Sequence, residues 1–320
     1  MPRALVTGAG GFAGQWLCKE LLSDGWDVHG ATLTGAPALT TLQDWQRDAV
    51  TWYDVDLRQR DDVGPLIDAA KPDAVFHLAG IAFVPDAGAD PGGTWGTNVL
   101  ASVHLLDGIT VRRKAGTIDP VVVIAGSGEQ YGAHAAADLP LTEDAEQRPM
   151  TVYAATKVAQ EVAALAHWRA TGTKVIAARP FNHTGPGQAT SFLVPALVER
   201  AHEAKKLKSR SIRIGNANTV RDFLHVEDVA RAYIYLAQRG EPGEAYNICS
   251  GEGKSVSELA QLVLERMELD ARVESDPALM RAVDVPALVG SAAKLTAATT
   301  WTPMWPIEMV IDEVVYGEAY

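Results

Sequence analysis

One segment near the N-terminus constrains this chain more than any other. Ala4-Leu5-Val6 reads as a strand, Gly8-Ala9-Gly10-Gly11-Phe12-Ala13-Gly14 as a turn, and Gln15 to Leu22 as a helix. A strand that feeds a helix through glycines so spaced is a phosphate-binding context. Gly8 permits the tight turn, Gly11 lets backbone amides approach a pyrophosphate, and Gly14 allows the helix to pack closely on the strand. Phe12 and Ala13 stand at the helix N-terminus, whose amides face the anion.

Strand and helix signals alternate through the first 180 residues. The strand candidates are Ala4 to Thr7, Asp27 to Thr32, Thr51 to Asp54, Ala74 to Leu78, Pro120 to Ala125 and Lys174 to Arg179. Several are continuously apolar and rich in valine, as strands covered on both faces are. This alternation predicts an α/β chain built on a doubly wound parallel sheet of the Rossmann type. Beyond Pro180 the pattern breaks into Gly, Pro and Asn, with short helices at Phe192 to Ala204 and Ser255 to Met267 and an isolated strand at Ser211 to Ile214. The expectation is a dinucleotide-binding domain over 1–180 with return segments around 219–249, and a smaller, irregular C-terminal substrate-binding domain made of 181–218 and 250–320. Cofactor then belongs at the carboxyl ends of the strands and substrate in the cleft between the domains.

The second informative motif is Tyr153-Ala154-Ala155-Thr156-Lys157. Four residues on a helix is one turn, so the phenol and the ammonium share a face. A neighbouring cation favours phenolate and lowers the Tyr pKa. A phenol so tuned passes a proton to or from an alcohol oxygen while hydride moves at the same carbon. Tyr and Lys at this spacing also occur on helices with no such role. Joined to the glycine turn, the pair points to nicotinamide redox chemistry.

Composition narrows the partners. The chain carries 40 acidic against 28 basic residues and a net charge of −12, which disfavours nucleic acid and membrane surfaces. Any anionic ligand must be held by local cations. The two cysteines, Cys18 and Cys249, have no metal-ligand spacing and read as buried thiols in a reducing compartment. No apolar stretch approaches the length of a membrane span, and Met1-Pro2-Arg3 runs straight into the first strand, so a cytoplasmic chain without a metal is expected.

The strand ends supply the remaining candidates. The end of the second strand should present the group that reads the adenosine ribose. It offers Ala31-Thr32-Leu33-Thr34-Gly35, with neither an acid for the ribose hydroxyls nor a nearby arginine for the extra phosphate of NADP. The missing acid favours NADP(H) over NAD(H), with Thr32 at the site. Asp56-Leu57 suits the exocyclic amine of adenine, the alternative being an N-cap for the helix that starts near Arg60. In His77-Leu78-Ala79-Gly80, the residues Leu78, Ala79 and Gly80 leave room for the cofactor backbone, and His77 reads as a packed strand-end residue. Asn98, in a helix expected over Thr97 to Leu106, either supports the catalytic region or faces solvent. Pro180 closes the sixth strand beside the cofactor.

After the fifth strand comes Ala125-Gly126-Ser127-Gly128-Glu129-Gln130-Tyr131-Gly132. Ser127 is placed to hydrogen-bond a reacting carbonyl oxygen alongside Tyr153. Two readings of Glu129 stay open: a general base next to a keto group, as a dehydratase needs, or a polar contact to substrate hydroxyls.

Together these residues resemble the extended short-chain dehydrogenase/reductase family over nearly the whole chain. Within it, several segments look like the GDP-4-keto-6-deoxy-D-mannose reductases, which form GDP-D-rhamnose: His77 to Gly80 with Val84-Pro85, Arg179 to Gln188, Val220 to Phe223, Tyr246 to Gly251 and Asp284 to Gly290. The run from Arg179 is the most specific, and the sister GDP-mannose 4,6-dehydratases share it only in part. The resemblance implies a catalytic set of Ser127, Tyr153 and Lys157, in which Lys157 also holds the ribose. It places Asn182 on the sugar-nucleotide phosphates, Arg221 and Arg281 on the pyrophosphate or nucleotide, and pairs helices near Asn98 and Tyr153 in a homodimer. For Arg221 the chemistry agrees, since a planar guanidinium binds phosphate oxygens in bidentate fashion. The alternative is a surface ion pair with Asp222. The run Lys205-Lys206-Lys208-Arg210 reads as a solvated face.

This chain departs from the pattern at Ala125-Gly126, where small hydroxyl residues are common, at Glu129, and at Ser291, where an aspartate is often found. The reading is NADPH-dependent reduction of the C4 keto group of a GDP-4-keto-6-deoxyhexose. A 4,6-dehydratase or another nucleotide-sugar enzyme is the rival within the family. A cofactor-sensing regulator is the rival outside enzymes, and it has no need of a proton donor.

Overall fold

The computed structural model describes residues 1–33, 35, 41–280 and 284–317; Arg281 and Thr34 lie outside them. The first half alternates strictly: β1 (Arg3–Thr7), α1 (Phe12–Ser23), β2 (Asp27–Thr32), α2 (Asp44–Ala49), β3 (Thr51–Asp54), α3 (Arg60–Ala70) and β4 (Ala74–His77). Short helices α4 (Val84–Ala89) and α5 (Pro91–Trp95) lead through a π-helical turn, Gly96–Leu100, into α6 (Ala101–Lys114) and β5 (Val121–Ala125). A 3-10 turn (Gly128–Tyr131) follows, then α7 (Val152–Thr171), β6 (Val175–Pro180) and β7 (Asn182–Thr184). Next come α8 (Leu193–Leu207), β8 (Ser211–Ile214), β9 (Val220–His225), α9 (Val226–Arg239) and β10 (Ala245–Ile248). The chain ends in β11 (Gly253–Ser255), α10 (Val256–Arg266), β12 (Arg272–Ser275), β13 (Ala287–Leu288), α11 (Ala293–Thr299) and α12 (Ile307–Tyr316).

Seven strands form one sheet in the order β10-β6-β5-β4-β1-β2-β3, every pair parallel. Successive side chains of a strand face opposite ways, so Leu5 and Val6 enter different cores. On one face Val6, Phe76, Val123 and Ile176 meet Trp16, Leu17, Tyr233 and Leu236 of α1 and α9. On the other, Leu5, Val75, Val122 and Val175 meet Val63, Ile67, Leu105 and Ile109 of α3 and α6. Both faces are thus covered, which is why these strands read as unbroken apolar runs. Leu105 has no exposure, so its truncation to Ala costs about 2–5 kcal/mol. The chain order reverses between β1 and β4, and a crevice opens there at the carboxyl ends of the strands.

The remaining strands form smaller sheets. β9 pairs with β11, β13 and β7, while β12 pairs with β8. Helices α8, α10 and α12 close a third core around Leu197, Ile214, Leu259 and Ile311. One stretch departs from the expected division. Leu295 of α11 and Trp301 sink into the core of the large sheet, and Trp301 Nε1 donates to Asp228 O at 3.0 Å. This segment was expected with the smaller unit; a helix of 7 residues carries too little periodicity to declare where it packs.

Candidate active site

At the crevice, the ends of β1 to β4 enclose a cleft of about 570 Å³. Gly8, Gly11, Phe12, Ala13, Gly14, Thr32, Asp56, Leu57, Leu78, Ala79 and Gly80 all line it. Gly8 has φ +73°, and a Cβ on it would stand 2.7 Å from Ala79 N. A Cβ on Gly14 would stand 2.2 Å from Gly8 O. The turn therefore closes on itself as a cradle that side chains would fill, with α1 beginning at Phe12 and Gly11 as its N-cap. A dinucleotide pyrophosphate fits this cradle.

At the adenine end, Arg58 Nε and NH2 donate to Asp56 Oδ1 and Oδ2 at 2.9 and 2.7 Å. Those contacts hold the Asp56 carboxyl below its ordinary range. The N-cap of α3 is Gln59, so the capping alternative for Asp56 fails. Arg58 itself lines the cleft. The sequence reading, confined to the end of the second strand, did not count it; Arg58 follows the third strand, and parallel pairing of β2 with β3 brings it near. The Thr32 hydroxyl donates to Gly35 O. Pro180 is buried at the end of β6 and is not among the residues lining the cleft.

Ser127 follows β5, and Thr151 caps α7 by accepting from Ala154 N at 3.1 Å, which sets Tyr153 and Lys157 on the first turns of that helix. Tyr153 and Ser127 are both buried, and the Ser127 hydroxyl acts to lower the pKa of the Tyr153 phenol. Lys157 Nζ donates to Ala125 O at 2.6 Å and to Gln160 Oε1 at 3.0 Å. The expected lowering of the Tyr153 pKa is not what the structure has. Burial pushes the phenol up to about 12, with the Ser127 hydrogen bond pulling the other way and the Glu129 charge adding to the rise. Lys157 is itself pushed down by burial to about 8, and its donors are engaged with β5 and Gln160. Desolvation leads both shifts, and neither group figures among the causes of the other's.

A buried polar chain backs the ammonium. Gln160 Nε2 donates to Ser102 Oγ at 2.8 Å, and Ser102 Oγ donates to Asn98 O at 2.8 Å. His77 Nε2 lies 2.8 Å from Ser102 Oγ, and His77 Nδ1 lies 2.7 Å from Thr7 Oγ1. With the Ser102 proton spent on Asn98, His77 donates from Nε2 and accepts at Nδ1 from Thr7. Burial and the nearby Lys157 charge press His77 down to about 3, so it is a neutral packing residue. Asn98 sits in the π-helical turn, where its side chain accepts from Ile81 N at 2.8 Å and donates to Thr156 Oγ1 at 2.9 Å. It ties the cleft wall to the helix of Tyr153 and Lys157. Gly80 joins the two regions as well, since a Cβ there would stand 3.6 Å from Lys157 Nζ.

A second cleft of about 320 Å³ lies between the large sheet and the small ones. Glu129, Asn182, Arg200, Arg221, Asp284 and Phe192 are on its walls. Asn182 Nδ2 is buried without a hydrogen-bond partner, a donor that an anionic ligand would satisfy. Arg221 is held by Asp284 Oδ1 at 3.0 Å and by Val285 O at 2.7 Å. The alternative of an exposed pair with Asp222 fails, because both residues are buried and Asp222 accepts instead from Ser250 N, Gly251 N and Gly290 N. Arg200 was not singled out from sequence. It lies on α8, on the residues after Phe192 whose helical spacing was legible, and its NH1 donates to Arg213 O at 3.1 Å. Lys205, Lys206, Lys208 and Arg210 are exposed. Gly80 of one cleft thus approaches Lys157, and Glu129 of the other acts on Tyr153 through its charge.

The family model described as GDP-mannose 4,6 dehydratase matches residues 5–314. The GDP-6-deoxy-D-mannose reductase of Pseudomonas aeruginosa is 37% identical over 261 residues, covering 81% of this chain and 84% of that protein. The solved structure of RMD from Pseudomonas aeruginosa complexed with NADPH superposes with a TM-score of 0.81 at 32% identity, covering 98% of both chains. The UDP-glucose 4-epimerase of Thermus thermophilus in complex with NAD superposes with a TM-score of 0.85 at 27% identity, over 99% of this chain and 100% of that one.

Proposed function

The chain belongs to the GDP-mannose 4,6-dehydratase family, and from that premise we propose that it reduces the C4 keto group of a GDP-linked 4-keto-6-deoxyhexose with NADPH, forming GDP-D-rhamnose. It is a nucleotide-sugar oxidoreductase. The similarity to GDP-6-deoxy-D-mannose reductase across 81% of the chain carries the choice of reduction over the family's other reactions. NADP(H) is the favoured cofactor, in keeping with the NADPH complex of the similar structure.

When bound, the nicotinamide supplies hydride to C4. The chain's own residues manage the oxygen. Tyr153, kept protonated at neutral pH by its burial, is the proton donor to that oxygen, which is the state a reductase needs. Ser127 donates a hydrogen bond to the same atom and orients the phenol. Lys157, charged below about pH 8, holds the ribose side of the site. Asn182 and Arg221 take the pyrophosphate, joined by Arg281, which lies outside the described residues. Glu129 contacts substrate hydroxyls. The glycine turn, Leu78 and Ala79 hold the dinucleotide, with Asp56 and Leu57 at adenine and Thr32 at the ribose.

We take 1–180 with the returning segments as the cofactor unit and the rest as the nucleotide-sugar unit, active as a cytoplasmic homodimer. Exposed Val111 of α6 and Val162 of α7 support a helix-to-helix interface, which sedimentation would test. Among the described residues no helix is long and apolar enough to cross a membrane. The reaction is tested by Tyr153→Phe, which should lose nearly all turnover and keep nucleotide affinity. Unchanged turnover in that variant contradicts the mechanism.

A further inference from the structure

We propose that Gln130 is a positioning residue of the active site, whose side-chain amide ties the loop carrying Ser127 to the helix carrying Tyr153 and Lys157. Gln130 has no exposure. Its Oε1 accepts from Ser127 N at 2.7 Å, and its Nε2 donates to Glu161 Oε2 at 3.0 Å. Glu161 lies one turn beyond Lys157 on α7, and Arg179 of β6 clamps its carboxylate through Nε at 2.9 Å and NH2 at 2.6 Å. The anchor is therefore rigid. An amide offers an acceptor to one partner and a donor to the other at once, whereas an ionised carboxylate offers only acceptors.

The glycine before Ser127 belongs to the same device. A Cβ on Gly126 would stand 2.4 Å from Gln130 Oε1 and 3.0 Å from Ala178 O, so a side chain at 126 would push the glutamine amide from its place. The consequence is chemical, because Ser127 Oγ accepts from Glu129 N at 3.1 Å and acts on the Tyr153 phenol, lowering its pKa. Holding the Ser127 backbone holds that hydroxyl against the proton donor. A misplacement of about 1 Å at such a group costs on the order of 100-fold in rate.

The test rests on the reductase reading for its assay. Gln130→Leu removes both hydrogen bonds, and kcat should fall about 10- to 100-fold with both KM values within about threefold. Gln130→Glu guards against simple loss of folding. Its carboxyl would face Glu161 of α7 and Arg179 of β6, with Tyr131 and Glu129 on its own turn, and two carboxyls in contact resist joint ionisation. While the pair keeps a proton, the acid reproduces the amide's donor and acceptor. Its kcat should stand near wild type at acid pH and fall with a slope of one at a pH below the Lys157 limb near 8, where the wild-type profile is still flat. A structural role alone changes the amount of folded enzyme and not this profile. Superimposable profiles for Gln130→Glu and wild type, or wild-type kcat in folded Gln130→Leu, overturn the proposal. A wild-type chain that turns over neither keto-sugar nor GDP-mannose contradicts the proposed reaction instead. The Ser127 amide then decides for Gln130: its hydrogen exchange should quicken at least about tenfold in Gln130→Leu, and an unchanged rate overturns the assignment.

Discussion

Lys157 Nζ donates to Gln160 Oε1 at 3.0 Å, one turn along the same helix, and Gln160 passes the contact on to Ser102 at 2.8 Å. A neutral acceptor steadies the buried ammonium without supplying a countercharge, so burial holds Lys157 near 8. Gln160→Glu would supply that countercharge. The alkaline limb of kcat, expected near pH 8 in the wild type, should move up in Gln160→Glu and down in Gln160→Leu. Coincident limbs in all three proteins would show that Lys157 does not set that limb.

Lys157 also costs stability. Its pKa falls from 10.5 to about 8 on burial, which corresponds to roughly 3 kcal/mol at most. Below pH 8 both folded and unfolded chains hold the proton and the penalty is full. Between about 8 and 10.5 the unfolded chain binds more protons, so stability rises with pH across that window. Lys157→Met, which forfeits the hydrogen bonds to Ala125 and Gln160, should be inactive yet about 1–2 kcal/mol more stable at pH 7, with the gain shrinking towards pH 10. Chemical denaturation at both pH values checks it, and a variant less stable than wild type at pH 7 fails it.

Glu129 separates the two chemistries of the family. It raises the Tyr153 pKa by its charge and lines the nucleotide cleft. Glu129→Gln should keep reductase kcat within about tenfold, because proton donation by Tyr153 does not pass through it. A loss of a thousandfold would assign Glu129 a proton-transfer role.

Arg221 should report on the nucleotide alone. Its guanidinium is fixed by Asp284 and Val285 on the wall of the second cleft. Arg221→Gln should raise KM for the nucleotide sugar at least about tenfold, with kcat within about threefold and NADPH affinity unchanged. Equal loss of cofactor affinity would place the residue elsewhere in the mechanism.

Much of the fold was legible because the large sheet is built from local signals: apolar runs covered on both faces, and glycines that a single turn demands. The six early strands fall within a residue of the bounds read from sequence, and β8 spans Ser211–Ile214 as read. Elements such as β7, β11 and β13, of 3, 3 and 2 residues, carry no period to detect. Ser127, Tyr153 and Lys157 stood out by residue type at strand end and helix turn. Gln130, Gln160 and Arg58 did not, because each acts through a partner distant in sequence or on another element: Glu161, Ser102 and the end of β2. The pKa of Tyr153 was misjudged for a related reason. Spacing places a phenol and an ammonium on one helix face, but only packing shows how far water is excluded from them.

The most direct test gives the purified chain GDP-4-keto-6-deoxymannose with NADPH, and separately GDP-mannose with NADP, while nicotinamide absorbance and product mass are followed. The account predicts stoichiometric NADPH loss and a two-hydrogen mass gain in the first reaction. Loss of water from GDP-mannose with no net cofactor change, and no NADPH consumption in the first reaction, would contradict it.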